Sequence, residues 1–239
     1  MKAIKIVKEG RVEITDIPQP TVKDGHVLLK IDYVGFCGSD LNTFRGLNPL
    51  VQLPVIPGHE IGATVVGLGT DVGPDIKIGT RVTVNPYSNC GICTACKNNR
   101  PNACRYNETM GVQRDGAMTE YLVVPIQKVI VGGQLSSKEL ALVEPMSVGF
   151  HAVDRADVTD SDIVLVLGCG MIGVGAIVRS ALRGATVIAV DVSKEKLELA
   201  KSLGATFTIN SAEEDLAASL DILTHSMGAD VVIEAVGRK

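Results

Sequence analysis

Tryptophan is absent, and the aromatic residues together make up 3% of the chain. A surface that stacks sugars or bases has little to build on. Basic runs are missing too. Lys and Arg number 23 and are scattered, against 27 Asp and Glu, for a formal net charge of −4. That excludes the positive footprint of a nucleic-acid surface. Long apolar runs are also lacking. The longest uncharged one lies between Asp162 and Arg179, and its sixteen residues include four glycines. It is too short to span a bilayer comfortably. Met1-Lys2-Ala3-Ile4-Lys5 has none of the apolar centre of an export signal. The expectation is a cytoplasmic protein without nucleic-acid or membrane partners, in a compartment where thiols stay reduced. With 46% hydrophobic residues among 239, there is enough core for one large domain or two ordinary ones.

Cysteine is sparse but clustered. Of six cysteines, Cys90, Cys93, Cys96 and Cys104 follow one another with C-x2-C-x2-C-x7-C spacing. A disulfide pair or incidental core cysteines would be the plain alternatives. Disulfides need an oxidising compartment, which nothing here signals. Chance core cysteines do not keep metal-ligand spacing. Four thiolates this close suit a tetrahedral, closed, structural zinc that leaves no position for substrate.

Residues 1 to about 135 read as β-rich. Strands are expected at Lys2–Val7, Arg11–Thr15, His26–Val34, Ala63–Leu68, Arg81–Val84 and Tyr121–Val124, with Gly and Pro between them. In His26–Val34 the alternation puts Val27, Leu29, Ile31 and Tyr33 on one face, Lys30 and Asp32 on the other. Ser136-Ser137-Lys138-Glu139 has the form of a capping box. The helix expected after it should be disturbed at Pro145. From Ile163 strands and helices alternate: Ile163–Leu167, Val187–Val190, Phe207–Asn210 and Val231–Ala235 are strands, with helices between the first three ending at Gly184 and Gly204. That order makes an open parallel sheet.

The first of those strands runs into Gly168-Cys169-Gly170-Met171-Ile172-Gly173. A bare G-x-G-x-x-G is weak, but this one follows a buried strand and opens a helix. Gly168 permits the tight turn, Gly170 lets a pyrophosphate approach the backbone, and Gly173 lets helix and strand pack closely. The helix N-terminus adds N–H groups and positive dipole. Asp191 ends the second strand, where a carboxylate reads the ribose diol and repels a 2′-phosphate, so NAD is expected over NADP. The plain alternative is a glycine-rich turn with Asp191 as a loop acid. Cys169 reads as a small packing residue.

Cys37 then remains. It opens Cys37-Gly38-Ser39-Asp40, and Gly58-His59-Glu60 lies downstream, with Glu144 before Pro145. Thiolate, imidazole and carboxylate are the donor types of an open, catalytic zinc. Each residue alone also has a plain reading, as buried Cys, satisfied His, or capping or surface Glu.

Together these segments resemble the zinc-dependent medium-chain alcohol and polyol dehydrogenases over nearly the whole chain. The resemblance rests on Cys37-Gly38-Ser39-Asp40, Gly58-His59-Glu60 with Gly69 and Val72, the four-cysteine lobe, Glu144-Pro145-Met146-Ser147-Val148, the glycine fingerprint and Glu234-Ala235-Val236-Gly237. It implies an α/β protein: a GroES-like β-rich catalytic domain over residues 1–155 and an incomplete Rossmann doubly wound domain over residues 156–239. It implies Cys37 and His59 as catalytic zinc ligands, with Glu60 binding or exchanging at the metal. Glu144, where alcohol-dehydrogenase relatives often carry Cys, points to the polyol, sorbitol-like branch. Ser39 matches the hydroxyl that relays the substrate proton. Lys196 matches an adenosine-ribose contact, and Val148 and Val236 match the nicotinamide pocket.

The sequence departs from the family at Asn42, where a titrating relay His is common, and at Ala63, where Gly is usual. The family sheet also has six strands against four here, so the chain is expected to be a fragment truncated at its C-terminus, with a homo-oligomer (dimer or tetramer) when full length. The expected function is hydride transfer between a secondary alcohol (polyol, sugar or sugar acid) and NAD, with two zinc ions per chain. L-threonine or butanediol oxidation, and a non-catalytic zinc and dinucleotide-binding protein, are the alternatives. A zinc-ribbon nucleic-acid module is a third, opposed by the acidic charge.

Overall fold

A computed structural model describes residues 1–237 of the chain. Contacts divide it into two compact units, one covering Met1–Glu144 and the other beginning at Pro145.

The first unit opens with an antiparallel hairpin, β1 (Lys2–Lys8) and β2 (Arg11–Asp16). Its main body is a five-stranded antiparallel sheet. The strands are β3 (His26–Gly35), β4 (Glu60–Leu68), β5 (Arg81–Val84), β6 (Tyr121–Pro125) and β7 (Val129–Val131), in the order β6-β3-β4-β5-β7. One face is apolar at every second position. Val27, Leu29, Ile61, Ala63, Val65, Val82, Val84 and Val124 join one core with Met110 and Ala117. Period-2 patterning of β-branched residues dictates this arrangement. The β3–β4 register slips twice, first between Leu28 and Leu29. It shifts again between Ile31 and Tyr33, so Asp32 is an extra residue. A bulge of this kind flips the strand's phase. Tyr33, expected on the core face, is instead exposed, and Val34 packs against the core. Asp32 is held by Thr64 Oγ1 at 2.6 Å and Ser137 Oγ at 2.9 Å.

The expected capping box forms. The Glu139 amide donates to Ser136 Oγ at 3.3 Å, and Glu139 Oε2 accepts from the Ser136 amide at 2.7 Å. Two helices follow where one was expected. In chain order the helices are α1 (Gly38–Phe44), α2 (Thr94–Lys97), α3 (Ser137–Leu140) and α4 (Val143–Arg155). The break falls at residues 141–142, not at Pro145. Pro145 sits in the first turn of α4, where its missing N–H has no intrahelical partner to lose. The division between units falls near the start of α4, whereas the sequence reading put the domain boundary at its far end.

The second unit is a four-stranded sheet of β8 (Ile163–Leu167), β9 (Thr186–Asp191), β10 (Phe207–Asn210) and β11 (Val231–Glu234). All pairs are parallel, in the order β10-β9-β8-β11. Helices α5 (Met171–Leu182), α6 (Lys194–Ser202) and α7 (Leu216–Leu223) connect them. Alternate residues of each strand face opposite layers. Val164, Val166, Val187 and Ala189 pack with Ile177 of α5 and Leu197 of α6. Leu165, Ile188, Val190 and Ile209 pack with Leu216, Leu220 and Leu223 of α7. The order reverses between β8 and β11, the switch point at which open α/β sheets bind ligands beyond their strand ends. Among the described residues, no helix is long and apolar enough to cross a membrane.

Candidate metal and dinucleotide sites

A candidate for the open metal site is built where β3 ends and β4 begins. Gly35 of β3 pairs with Glu60 of β4, which brings the segments carrying Cys37 and His59 side by side. Cys37 caps α1, and Asp40 of that helix is 1% exposed. Asp40 Oδ2 accepts from the Cys37 amide at 3.0 Å, and its Oδ1 accepts from the Gly58 amide at 3.3 Å. One carboxylate thus ties together the two loops that present thiol and imidazole. Gly58 has φ +99, a conformation that favours glycine, so the turn before His59 depends on it. Cys37, His59 and Glu60 offer donor atoms that all lie within 4.8 Å of one another.

Electrostatics fit a site that holds a cation. Burial alone would lower the His59 imidazole, but its hydrogen bond to Cys37 and the charges of Cys37, Asp40 and Glu144 raise it to about 9. Burial raises Glu60 and Asp40 above their ordinary values, partly offset by His59. Three buried carboxyls, Asp40, Glu60 and Glu144, gather around one imidazole and one thiol. A soft sulfur, a nitrogen and oxygens form a donor set that zinc accepts. Within the described residues, Ser39 Oγ and His59 Nδ1 are buried with no hydrogen-bond partner. Glu144 lies outside the tight group of three, and its Oε1 accepts from the Tyr87 hydroxyl at 2.6 Å. Burial and that carboxylate hold the phenol well above its ordinary value, so Tyr87 is a donor.

The second cluster is the four-cysteine lobe. Sulfur–sulfur distances are 3.5 Å for Cys93–Cys96, 3.9 Å for Cys93–Cys104 and 4.0 Å for Cys90–Cys96. A tetrahedron with Zn–S bonds of about 2.3 Å has edges of about 3.8 Å. Three of the six edges are therefore close to those a zinc ion requires, all four sulfurs lie within 4.8 Å of one another, and all six cysteines of the chain are free thiols. Backbone amides point at the sulfurs. The Cys90 amide donates to Cys104 Sγ and the Cys93 amide to Cys90 Sγ, both at 3.3 Å. Burial and the neighbouring sulfurs raise the Cys96 thiol, but the amides of Cys96 and Arg105 lower Cys93 and those of Cys90 and Tyr106 lower Cys104. Such donors favour thiolate, the form that binds metal.

The glycine loop follows β8. Gly168 has φ +92 and makes the turn. A Cβ on Gly173 would overlap the Gly168 carbonyl, whereas one on Gly170 would meet nothing within 4 Å. The loop is thus packed closely beneath and open above Gly170, a cradle that a phosphate can enter. Asp191 Oδ2 accepts from the Cys169 amide at 2.8 Å, and its Oδ1 from the Ser193 amide at 3.0 Å. Burial raises the Asp191 carboxyl, but these amides and Lys196, 3.7 Å away, outweigh it and hold the group below its ordinary value. The β11 end lies beside this loop. The Ala235 amide donates to the Leu167 carbonyl at 2.8 Å, and Val236 reaches Gly168.

Residues 23–132 match the alcohol dehydrogenase GroES-like domain, and residues 172–239 match the zinc-binding dehydrogenase family. Sorbitol dehydrogenase of Bacillus subtilis (strain 168) is 35% identical, over 99% of this chain and 69% of its own. The chain belongs to the zinc-dependent medium-chain dehydrogenase family. An Escherichia coli CFT073 alcohol dehydrogenase crystallised with NADH superimposes with a TM-score of 0.90 at 31% identity, over 100% of this chain and 70% of its own. A zinc-binding dehydrogenase from Sinorhizobium meliloti 1021, bound to NADP, gives 0.88 at 32% identity, over 99% and 70%. Zinc and a nicotinamide dinucleotide are accordingly the cofactors of this dehydrogenase, and its chemistry is oxidation and reduction of an alcohol.

The structure brings Cys37, His59 and Glu60 together, with the Glu144 charge acting on His59 and the buried Ser39 hydroxyl two residues along from Cys37 in the same unit. Val148 and Val236 belong to the second unit and are 40% and 52% exposed. Met171 and Ile172 start α5, and Met171 is 37% exposed. Two residues were missed as site components. Asp40 stood in a quoted motif without a role, and Tyr87 was not singled out. Nothing in the spacing could reveal Tyr87, because its partner is 57 residues away. Asp40 carried a signal, since an acid three residues after a helix cap can reach back to the cap amide.

Proposed function

We propose that this chain oxidises a secondary alcohol of a polyol, sugar or sugar acid with NAD, using one zinc at Cys37, His59 and Glu60 or Glu144 and a second on Cys90, Cys93, Cys96 and Cys104. The convergence of thiol, imidazole and carboxyl donors from distant segments carries this reading. When bound, zinc supplies Lewis acidity to a hydroxyl and the dinucleotide supplies the hydride acceptor. The residues do the rest. Cys37 and His59 hold the metal, and Glu60 binds it or exchanges with substrate.

Ser39 offers a buried hydroxyl that both accepts and donates, so it passes the alcohol proton outward. Asn42 does not titrate, so the proton leaves through water. Gly168, Gly170, Met171, Ile172 and Gly173 cradle the pyrophosphate, Asp191 and Lys196 hold the adenosine ribose, and Val148 and Val236 line the nicotinamide pocket. Asp191 favours NAD because its carboxylate repels a 2′-phosphate. The name of the sorbitol dehydrogenase relative, together with Glu144 where alcohol dehydrogenases often carry Cys, supports a polyol substrate. The test is NAD reduction by zinc-loaded protein across polyols, sugar acids, L-threonine and butanediol. Turnover of a polyol or sugar acid, lost in His59→Ala, is expected. Turnover confined to threonine or butanediol would overturn the substrate class. Turnover that persists in His59→Ala would overturn the metal site.

A further inference from the structure

The open metal site has a polar neighbour that ligand chemistry does not require. Tyr87 lies beyond β5, on the segment that leads into the cysteine lobe. Its amide donates to Asn85 Oδ1 at 3.0 Å, a local turn that fixes how the ring leaves the backbone. The residue is 40% exposed, so a tyrosine here could point its hydroxyl at water. It does the opposite. The hydroxyl reaches Glu144 Oε1 at 2.6 Å, within the charge-assisted range, and Glu144 is 8% exposed. Glu144 lies at the start of α4. It is outside the group of Cys37, His59 and Glu60, whose donor atoms lie within 4.8 Å of one another, yet its charge is felt at His59 and Glu60.

We propose that Tyr87 is a positioning residue for the catalytic metal: its hydroxyl fixes the Glu144 carboxylate and thereby sets how that carboxylate supports zinc on Cys37, His59 and Glu60. The proposal rests on the ligand set given above. A glutamate side chain has three torsions, and a buried one serves a metal only if its orientation is held. Tyr87 supplies that hold from a different loop. A carboxylate has about four lone-pair sites, so a phenol on Oε1 leaves acceptor capacity on the same group. Loss of such an outer hydrogen bond typically weakens metal binding about 10–100-fold.

The test is chelator competition for zinc on the full chain, comparing wild type, Tyr87→Phe, Glu144→Ala and the double variant. Two classes of zinc are expected, and His59→Ala identifies the open site as the class it removes. Tyr87→Phe keeps the ring and should weaken that class about 10–100-fold, leaving lobe zinc unchanged and lowering the melting temperature by no more than a few degrees. Added to Glu144→Ala, it should change zinc affinity by less than about twofold, because groups acting through one another are not additive. Cobalt loaded in place of zinc should show an altered Cys37 thiolate charge-transfer band in Tyr87→Phe. Wild-type affinity in Tyr87→Phe, or an equal loss with and without Glu144, would overturn the proposal. Loss of lobe zinc or of folding would overturn it too, by making the hydroxyl a general structural support. If His59→Ala and Cys37→Ser leave both classes intact, the ligand set itself falls. If they remove one class and Tyr87→Phe does nothing, only the role of Tyr87 falls.

Discussion

Replacing Asp40 with Asn probes how the fold presents the metal ligands, because the change keeps shape and removes charge. In the native chain one carboxylate accepts from the Cys37 amide at 3.0 Å and the Gly58 amide at 3.3 Å. Hydrogen bonds to a charged group contribute about 1.5–3 kcal/mol each. Asn keeps one acceptor oxygen and turns its NH2 toward the other amide, so donor faces donor. One charge-assisted bond is lost and the other becomes neutral and weaker by about 1 kcal/mol. Against this, the variant no longer buries a charge, and burial is the largest influence raising the Asp40 carboxyl. Allowing about 1–2 kcal/mol for that relief leaves a net loss of about 2 kcal/mol. With a urea slope of about 1–3 kcal/mol per molar, the midpoint of the first unit should fall by about 1 M. Zinc at the open site should weaken in parallel, since the loops of Cys37 and His59 lose their common anchor. Urea unfolding followed by far-ultraviolet circular dichroism gives the midpoint. A midpoint equal to wild type would refute the claim that Asp40 braces the two loops.

Other outcomes follow from the same geometry. Cys93→Ser should lose about one zinc per chain and lower the melting temperature, because a ligand lost from a closed site removes metal-binding free energy from the fold; unchanged zinc by atomic emission would refute it. Gly173→Ala places a methyl against the Gly168 carbonyl, which should cost about 1–3 kcal/mol and weaken NAD at least about tenfold; wild-type calorimetric affinity would contradict the packing role. The Asp191 carboxyl should titrate below its ordinary 3.8. A depressed folded pKa adds stability that is present above 3.8 and lost as pH falls through the folded value. Carboxyl carbon shifts would show this, and a midpoint at or above 3.8 would count against the amide contacts. Asp191→Ala should shift the affinity ratio from NAD toward NADP, and a constant ratio would mean that the residue does not read the ribose.

Much of this architecture was legible because its signals are local. The run Ile163–Leu167, the glycines after it and Asp191 at the end of β9 follow one another in register. The four cysteines lie within one lobe, so spacing alone predicted their gathering. The open site was legible only in its donor types. Its geometry depends on the Gly35–Glu60 pairing, which joins distant strands. Long-range partners such as Tyr87 and Glu144 leave no periodic trace. The misreading of Tyr33 has a similar origin, since the bulge at Asp32 is set by Thr64 and Ser137. Helix α7 was passed over although Asp215 caps it through the Ala218 amide at 2.8 Å. Its eight residues were too few for a clear helical period. The strand β7, three residues long, was missed for the same reason.

The central claim is that Cys37, His59 and a neighbouring carboxylate hold the zinc at which the alcohol reacts. Anomalous diffraction at the zinc edge, from zinc-replete crystals grown with NAD, tests it most directly. The account predicts two peaks per chain, one centred on Cys90, Cys93, Cys96 and Cys104, the other at bonding distance from Cys37 Sγ and a His59 ring nitrogen. A second peak lying away from His59, with Cys37 and His59 both clear of metal, would contradict it.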